Sequence, residues 1–351
     1  MTDGSALSRR AFIGSVTAAG VGALAPAAGV AQRAAGSAES RGLIDFHHHF
    51  DPPATVTGRQ GAGNQRWTAA GTVEEMEKAA VGVGMANLTA SGTAPAGEAG
   101  RKWARSLNDW AAKTAGDYRG RFGLFATLPM LDIDAALQEV EYAYETLKVD
   151  GIGIGTSYEG LWLGDAKFKP LWSELHRRHA IVYVHPNDDQ CCTTRTMTYE
   201  SGNGLGSAWL EWPVNTARAI MSLMVNGVTR EYSGVRFIFS HGGGVAPLLI
   251  HRIAQFDGWT GMGPDKLRGY FPRGIEAEFR TLYFEGAQAF SPVNLEALMK
   301  LVPASHILFG TDYNRFPLSH SAKLLAGLKL PNDVRRGIER DNAITLFPRL
   351  A

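Results

Sequence analysis

The sequence predicts an α/β protein, a (β/α)₈ TIM barrel, and three observations carry that prediction. Eight short β-rich runs alternate with stretches of helical period between residues 43 and 347. Four histidines and an aspartate stand directly after such runs, where a barrel gathers the ends of its strands at one mouth. The glycine fingerprint that opens the first helix of a doubly wound open sheet, the main competing architecture, is absent.

Leu43 to His47 is the first strand. Thr72 to Val81 has helical period, and Thr72 followed three residues on by Glu75 is the capping-box pattern. Met85 to Thr89 is the second strand, and Trp103, Leu107 and Trp110 recur at helical spacing within a helix over Lys102 to Thr114. Phe122 to Leu128 is the third strand, after which Asp132 or Asp134 caps a helix reaching Leu147. Gly151 to Gly155 makes a small-residue fourth strand, and Pro170 suits the first turn of the next helix. The apolar run Ile181 to Val184 is the fifth strand and ends at His185. After a long irregular stretch, helical period resumes from Asn215 to Val225. Val235 to Ser240 is the sixth strand, ending at His241, and Pro247 and Ile250 belong to the helix behind it. Leu282 to Phe284 is the seventh strand, Pro292 to Leu301 a helix, and Ile307 to Phe309 the eighth strand, closing on Gly310-Thr311-Asp312. A helical stretch from Asp333 to Phe347 completes the pattern.

Residues 1–41 read as an address, which leaves 42–351 as one barrel domain. Ser8-Arg9-Arg10-Ala11-Phe12-Ile13-Gly14, followed by a weakly apolar run to Ala31, has the form of a twin-arginine export signal. Gly29-Val30-Ala31 offers small residues for cleavage, and so much Gly and Ala makes a poor spanning helix. The mature protein is therefore expected outside the cytoplasm, periplasmic or extracellular, and not inserted in a membrane.

Lys plus Arg number 35 against 34 for Asp plus Glu, so no broad basic field exists to attract a nucleic-acid backbone. Hydrophobic residues make up 45%, enough for one large core and unlike a disordered chain. The only cysteines, Cys191 and Cys192, are neighbours and form a poor staple, so stability must come from that core.

The strand ends hold the chemistry. Residues two apart in a strand project to one side, so His47 and His49 can share a metal while His48 turns away into packing or a supporting role. With His185 and Asp312 they make three imidazoles and a carboxylate, a set for one divalent ion that leaves a position open for water or substrate. Zinc and manganese both suit it, with zinc placed first. His176, His179, His251, His306 and His320 lack strand-end placement and are assigned to structure or surface.

Ile44-Asp45-Phe46-His47-His48-His49-Phe50, Val184-His185-Pro186, Ser240-His241-Gly242-Gly243-Gly244 and Phe309-Gly310-Thr311-Asp312-Tyr313 together resemble the amidohydrolase-related decarboxylases. That group includes α-amino-β-carboxymuconate-ε-semialdehyde, γ-resorcylate and 6-methylsalicylate decarboxylases. Trp212-Pro213-Val214-Asn215-Thr216-Ala217-Arg218 resembles the family's Pro-(x)-(Asp/Glu)-Thr-Thr stretch, with Thr216-Ala217 in place of Thr-Thr. The resemblance implies metal binding by His47, His49, His185 and Asp312, and a His241 that holds metal-bound water or substrate. It also implies that Arg252 reaches a substrate carboxylate across the interface of a homodimer, although arginines on barrel helices commonly just face solvent. The implied activity is metal-dependent, non-oxidative decarboxylation of a small aromatic acid with an ortho hydroxyl, 6-methylsalicylate being one example.

Two-metal hydrolases of the wider group need a lysine at the end of the fourth strand. Gly151 to Gly155 contains none, and Lys148 precedes it, so a single metal is expected. One metal could still activate water to cleave an ester, lactone or amide, with His241 and Asp312 handling protons. That hydrolase is the second reading, and a barrel that binds metal or ligand without turnover is the third. For decarboxylation, Asp312, or water assisted by His241, supplies a proton to the ring carbon. The stretch from Asn187 to Trp212 is long enough to fold over the mouth. In it, Trp209 and Trp212 either stack on an aromatic acid or anchor the loop, and Arg195 is a candidate partner for its carboxylate.

Overall fold

Strand β1 (Leu43–His49) lies parallel to β2 (Val81–Asn87), and the ring continues through β3 (Phe122–Ala126) and β4 (Gly151–Gly155). A small antiparallel hairpin, β5 (Ser157–Tyr158) and β6 (Leu161–Trp162), leaves the ring before β7 (Ile181–His185) rejoins it beside β4. Then come β8 (Arg236–Phe239), β9 (Tyr283–Glu285) and β10 (Ile307–Leu308), giving eight parallel strands in the order β1-β2-β3-β4-β7-β8-β9-β10. In this computed structural model the described residues are 42–57, 67–88, 94–188 and 207–351. The proposed address, Cys191, Cys192 and Arg195 lie outside them.

The two ends of the sheet meet. Phe46 N–H donates to Phe309 O at 2.9 Å, His49 N–H to Tyr313 O at 2.6 Å, and Tyr313 N–H to His47 O at 3.2 Å. The fold is thus the expected α/β barrel, with β1 sealed against the segment that follows β10.

Alternation along the strands divides the interior into two cores. Residues pointing into the ring, among them Ile44, Phe46, Phe125, Tyr183, Ile238 and Leu308, pack with Phe347 from the last helical stretch. Phe125 stacks on Tyr183 with ring centroids 5.4 Å apart, and Phe46 meets Phe347 at 5.5 Å, so the ring is filled below the strand ends. Residues pointing outward meet the surrounding helices in a larger apolar layer that includes Phe168, Trp172, Ile220, Phe239 and Phe284.

Several elements differ from expectation. The helix Ala69–Lys78 is capped by Thr68, whose extended backbone lets its Oγ accept Gly71 N–H at 3.1 Å; Thr72 is buried one turn inside. Strand β2 begins at Val81, well before Met85. Its glycines resemble breakers, but a Cβ at Gly84 would stand only 2.8 Å from the His48 ring, so the residue is small for packing. Of the two possible caps, Asp132 serves the helix Ile133–Tyr142, accepting Ala135 N–H at 3.0 Å. The last helical stretch is three pieces, Asn332–Arg336, a wide turn Gly337–Asp341, and Asn342–Leu346. No helix among the described residues is long and apolar enough to cross a membrane.

Candidate metal centre

The strand period turns His47 and His49 to the same side of β1, and both are buried. His185 closes β7, and Asp312 follows β10 across the sealed seam. One ligand atom from each of the four lies within 4.8 Å of the others. His47 Nε2 and His49 Nε2 are 3.2 Å apart, and Asp312 Oδ1 is 3.3 and 3.0 Å from them.

Two of the rings have their tautomers set from behind. His47 Nδ1–H donates to Glu285 Oε1 at 2.7 Å, and His185 Nδ1–H donates to the carbonyl of Pro186 at 2.7 Å. In both, the Nε2 lone pair therefore faces the other ligands. Three ring nitrogens and a carboxylate oxygen gathered at one point fit a divalent cation, and these are the residues that would hold it.

The electrostatics agree. Burial holds His47 and His185 well below the ordinary histidine range, which keeps them in the neutral form that ligates. Burial would push Asp312 up, but the imidazoles of His47 and His49 outweigh it and hold the carboxyl well below the usual carboxylate range. Burial raises Glu285 to about 7.

His241 completes the cluster, its ring centroid 4.7 Å from that of His47 and 6.1 Å from that of His185. His241 and Asp312 both have left-handed backbones, with φ of 54° and 62°. Strain of this kind in non-glycine residues concentrates at functional sites. His48 turns away, because an irregularity in β1 between Asp45 and His48 reverses the facing set by Ile44 and Phe46: it donates to Asp45 Oδ2 at 3.0 Å and stacks on Tyr313 at 4.9 Å.

The expected substrate contacts are less gathered. Trp212 opens the helix Trp212–Val225, donates from Nε1 to Asp188 at 2.8 Å, and has its ring 6.1 Å from His185, at the edge of the site. Trp209 is 60% exposed. Arg252 is exposed on the helix Ala246–Ala254 and makes no hydrogen bond or ion pair with a described residue, so within one chain it does not join the site. Two carboxylates that organise the centre had not been singled out. Glu285 is the last residue of β9 and obeys the same strand-end rule as the histidines. Asp45 lies inside β1, where nothing in its position marks it.

The family model described as Amidohydrolase matches residues 44–349. The chain is 34% identical over 333 residues to the 6-methylsalicylic acid decarboxylase of Penicillium expansum, covering 88% of this chain and 96% of the relative. Among solved structures, a 2,6-dihydroxybenzoate decarboxylase complexed with 2,6-dihydroxybenzoate aligns with a TM-score of 0.74 at 22% identity, covering 88% of this chain and 99% of the other. A dihydroxybenzoic acid decarboxylase of Polaromonas, with bound manganese and the inhibitor 2-nitroresorcinol, aligns with a TM-score of 0.73 at 23% identity, covering 88% and 97%.

Proposed function

The chain belongs to the amidohydrolase family, and from that premise we propose that it removes the carboxyl group of a small ortho-hydroxybenzoic acid of the 6-methylsalicylate kind. It is a metal-dependent, non-oxidative carboxy-lyase, related over nearly its whole length to a 6-methylsalicylic acid decarboxylase. The observation that carries the proposal is the convergence of three imidazoles and the Asp312 carboxylate, with His241 beside them.

Bound by His47, His49, His185 and Asp312, the metal would supply fixed positive charge for the acid's carboxylate and the neighbouring phenol oxygen. The remaining work is proton transfer. Cleaving the ring–carboxyl bond directly would strand an electron pair on carbon, so the ring carbon first takes a proton and loses aromaticity. The pair of the breaking bond then restores the ring as carbon dioxide leaves. In this proposal Asp312 relays the proton from the substrate's phenol to the ring carbon, while His241 returns a proton from solvent to the phenol oxygen. Overall, one carbon dioxide is exchanged for one proton.

Three finer assignments belong to this proposal. The nitrogen-rich donor set supports a reading with zinc ahead of manganese. Exposed Arg252, with no partner among the described residues, is available to act across a homodimer interface. The Arg9-Arg10 segment supports twin-arginine export, which fractionation of cells with and without Arg9→Lys/Arg10→Lys would test.

The deciding experiment is metal analysis of the purified mature protein together with carbon dioxide release from a panel of salicylates and dihydroxybenzoates. About one metal per chain and release from an ortho-hydroxy acid, lost in Asp312→Asn and His185→Ala, is expected. Release at the wild-type rate in Asp312→Asn would remove the proton-transfer role. Ester or lactone cleavage without carbon dioxide release would establish the hydrolase in its place.

A further inference from the structure

Glu285 is a buried carboxylate whose partners belong to the site. Its Oε1 accepts His47 Nδ1–H at 2.7 Å, His241 N–H at 2.9 Å and the Tyr183 hydroxyl at 3.4 Å. Its Oε2 accepts Ala287 N–H at 2.7 Å. The other buried glutamates at helix level pair with arginine, Glu139 with Arg105 and Glu278 with Arg230. Glu285 has no such cation among the described residues. Its two oxygens accept instead from an imidazole, two backbone amides and a tyrosine hydroxyl.

We propose that Glu285 is a positioning residue that aims the metal ligand His47 and the proton carrier His241 through one shared oxygen atom. The bond to Nδ1 fixes the rotation of the His47 ring and directs its Nε2 at the other ligands. The bond to the backbone N–H of His241 pins the start of a left-handed turn in which His241, Gly242 and Gly243 have φ of 54°, 62° and 80°. That turn sets where the His241 ring stands. The carboxylate is itself held at both oxygens, and Gly310 leaves the space for Oε2, since a Cβ there would collide with it. A shift of Glu285 therefore moves the ligand and the proton carrier together. The His47 half of the inference stands on geometry alone, and the His241 half rests on the decarboxylase reading.

The test compares wild type, Glu285→Gln, Tyr183→Phe and Glu278→Gln, the last as a control for loss of a wholly buried carboxylate away from the site. The amide keeps a single oxygen, an uncharged and weaker acceptor for His47 Nδ1–H, and turns its NH2 toward the Ala287 N–H at the other position. Glu285→Gln is expected to weaken metal binding, read by chelator competition, by roughly 10- to 100-fold. At saturating metal, its kcat should remain at least about tenfold down with KM within about twofold, the pattern of a lost transition-state interaction. Glu278→Gln should lower Tm while leaving the metal dissociation constant and metal-saturated kcat within twofold of wild type, and Tyr183→Phe should also spare metal binding. Should Glu285→Gln not fold, Glu285→Asp, which keeps the charge and withdraws it by a methylene, should show the same losses. A variant at Glu285 that lowers Tm alone, as Glu278→Gln does, overturns the proposal. Wild-type protein that binds metal without releasing carbon dioxide overturns the His241 half and the decarboxylase reading, and the chelator result then decides the His47 half by itself.

Discussion

Asp45 receives Thr311 twice, from its N–H at 2.9 Å and from its hydroxyl at 2.6 Å, and the same carboxylate accepts the N–H of His47 at 3.1 Å. Asp45 belongs to β1 and Thr311 precedes Asp312, so this pair holds a ligand from each side of the barrel seam in register. Thr311→Val keeps the shape and removes the hydroxyl. Leaving a buried carboxylate short of a donor costs about 1–3 kcal/mol, so a lower denaturation midpoint and faster metal loss to a chelator are expected. Unchanged metal release would mean that Asp45 stabilises the seam without governing the site.

Gly310 is a second sensitive point beside Asp312. Its missing side chain is the space occupied by Glu285 Oε2. Gly310→Ala should fold and lose metal, because the carboxylate is displaced before the packed ring yields. Metal analysis and circular dichroism on one preparation check this; full metal occupancy would show that Glu285 has room to adjust.

The metal-free protein should gain stability as pH rises toward neutrality. Burial lowers the pKa of His47 and His185 in the folded state, so below the unfolded histidine value of about 6.5 the unfolded chain binds protons that the folded chain does not, and stability rises with pH until the unfolded histidines have lost them. Burial raises Glu285 to about 7, so the folded chain keeps a proton there that the unfolded chain has lost, and this one group opposes the rise of the two histidines. Denaturant melts in the presence of chelator measure the slope. Stability that fell steadily from pH 5 to 6.5 would contradict the burial of neutral imidazoles.

Adding metal should raise Tm in a concentration-dependent way, since an ion that binds only the folded state contributes about 2.7 kcal/mol at a hundred times its dissociation constant. His185→Ala should abolish most of that shift while changing the metal-free Tm far less. A metal-dependent shift of wild-type size in His185→Ala would remove this residue from the ligand set.

Much of this was legible because barrel strands carry two signals at once. Val184-His185 and Ser240-His241 each show an apolar run breaking into a polar residue, and topology turns every such break toward one mouth. His47 and His49 were legible as a pair because the strand period is two. Glu285 obeyed the same rule, but its strand is only three residues long and a lone glutamate looks like the start of a loop. Asp45 could not be read: its importance depends on Thr311, more than 260 residues away, and only the closed ring brings them together. The start of β2 was hidden because Gly84 advertises flexibility locally and serves the packing of His48. Arg252 and the tryptophans gave side chains of the right type without a strand end to aim them.

The sealed seam also sets when the catalyst comes into being. His47 and His49 are made among the first residues of the barrel and Asp312 among the last, and the hydrogen bonds from β1 to Phe309 and Tyr313 close the ring at the same place. A chain still being synthesised can form most of its strand pairs and already display three imidazoles. It has no carboxylate ligand, no Thr311 to steady Asp45, and no partner for the free edge of β1. Ribosome-bound or prematurely terminated chains ending before residue 312 would therefore hold metal poorly and turn over nothing, so activity waits for the segment that follows β10 and for Phe347, which fills the ring beneath the site.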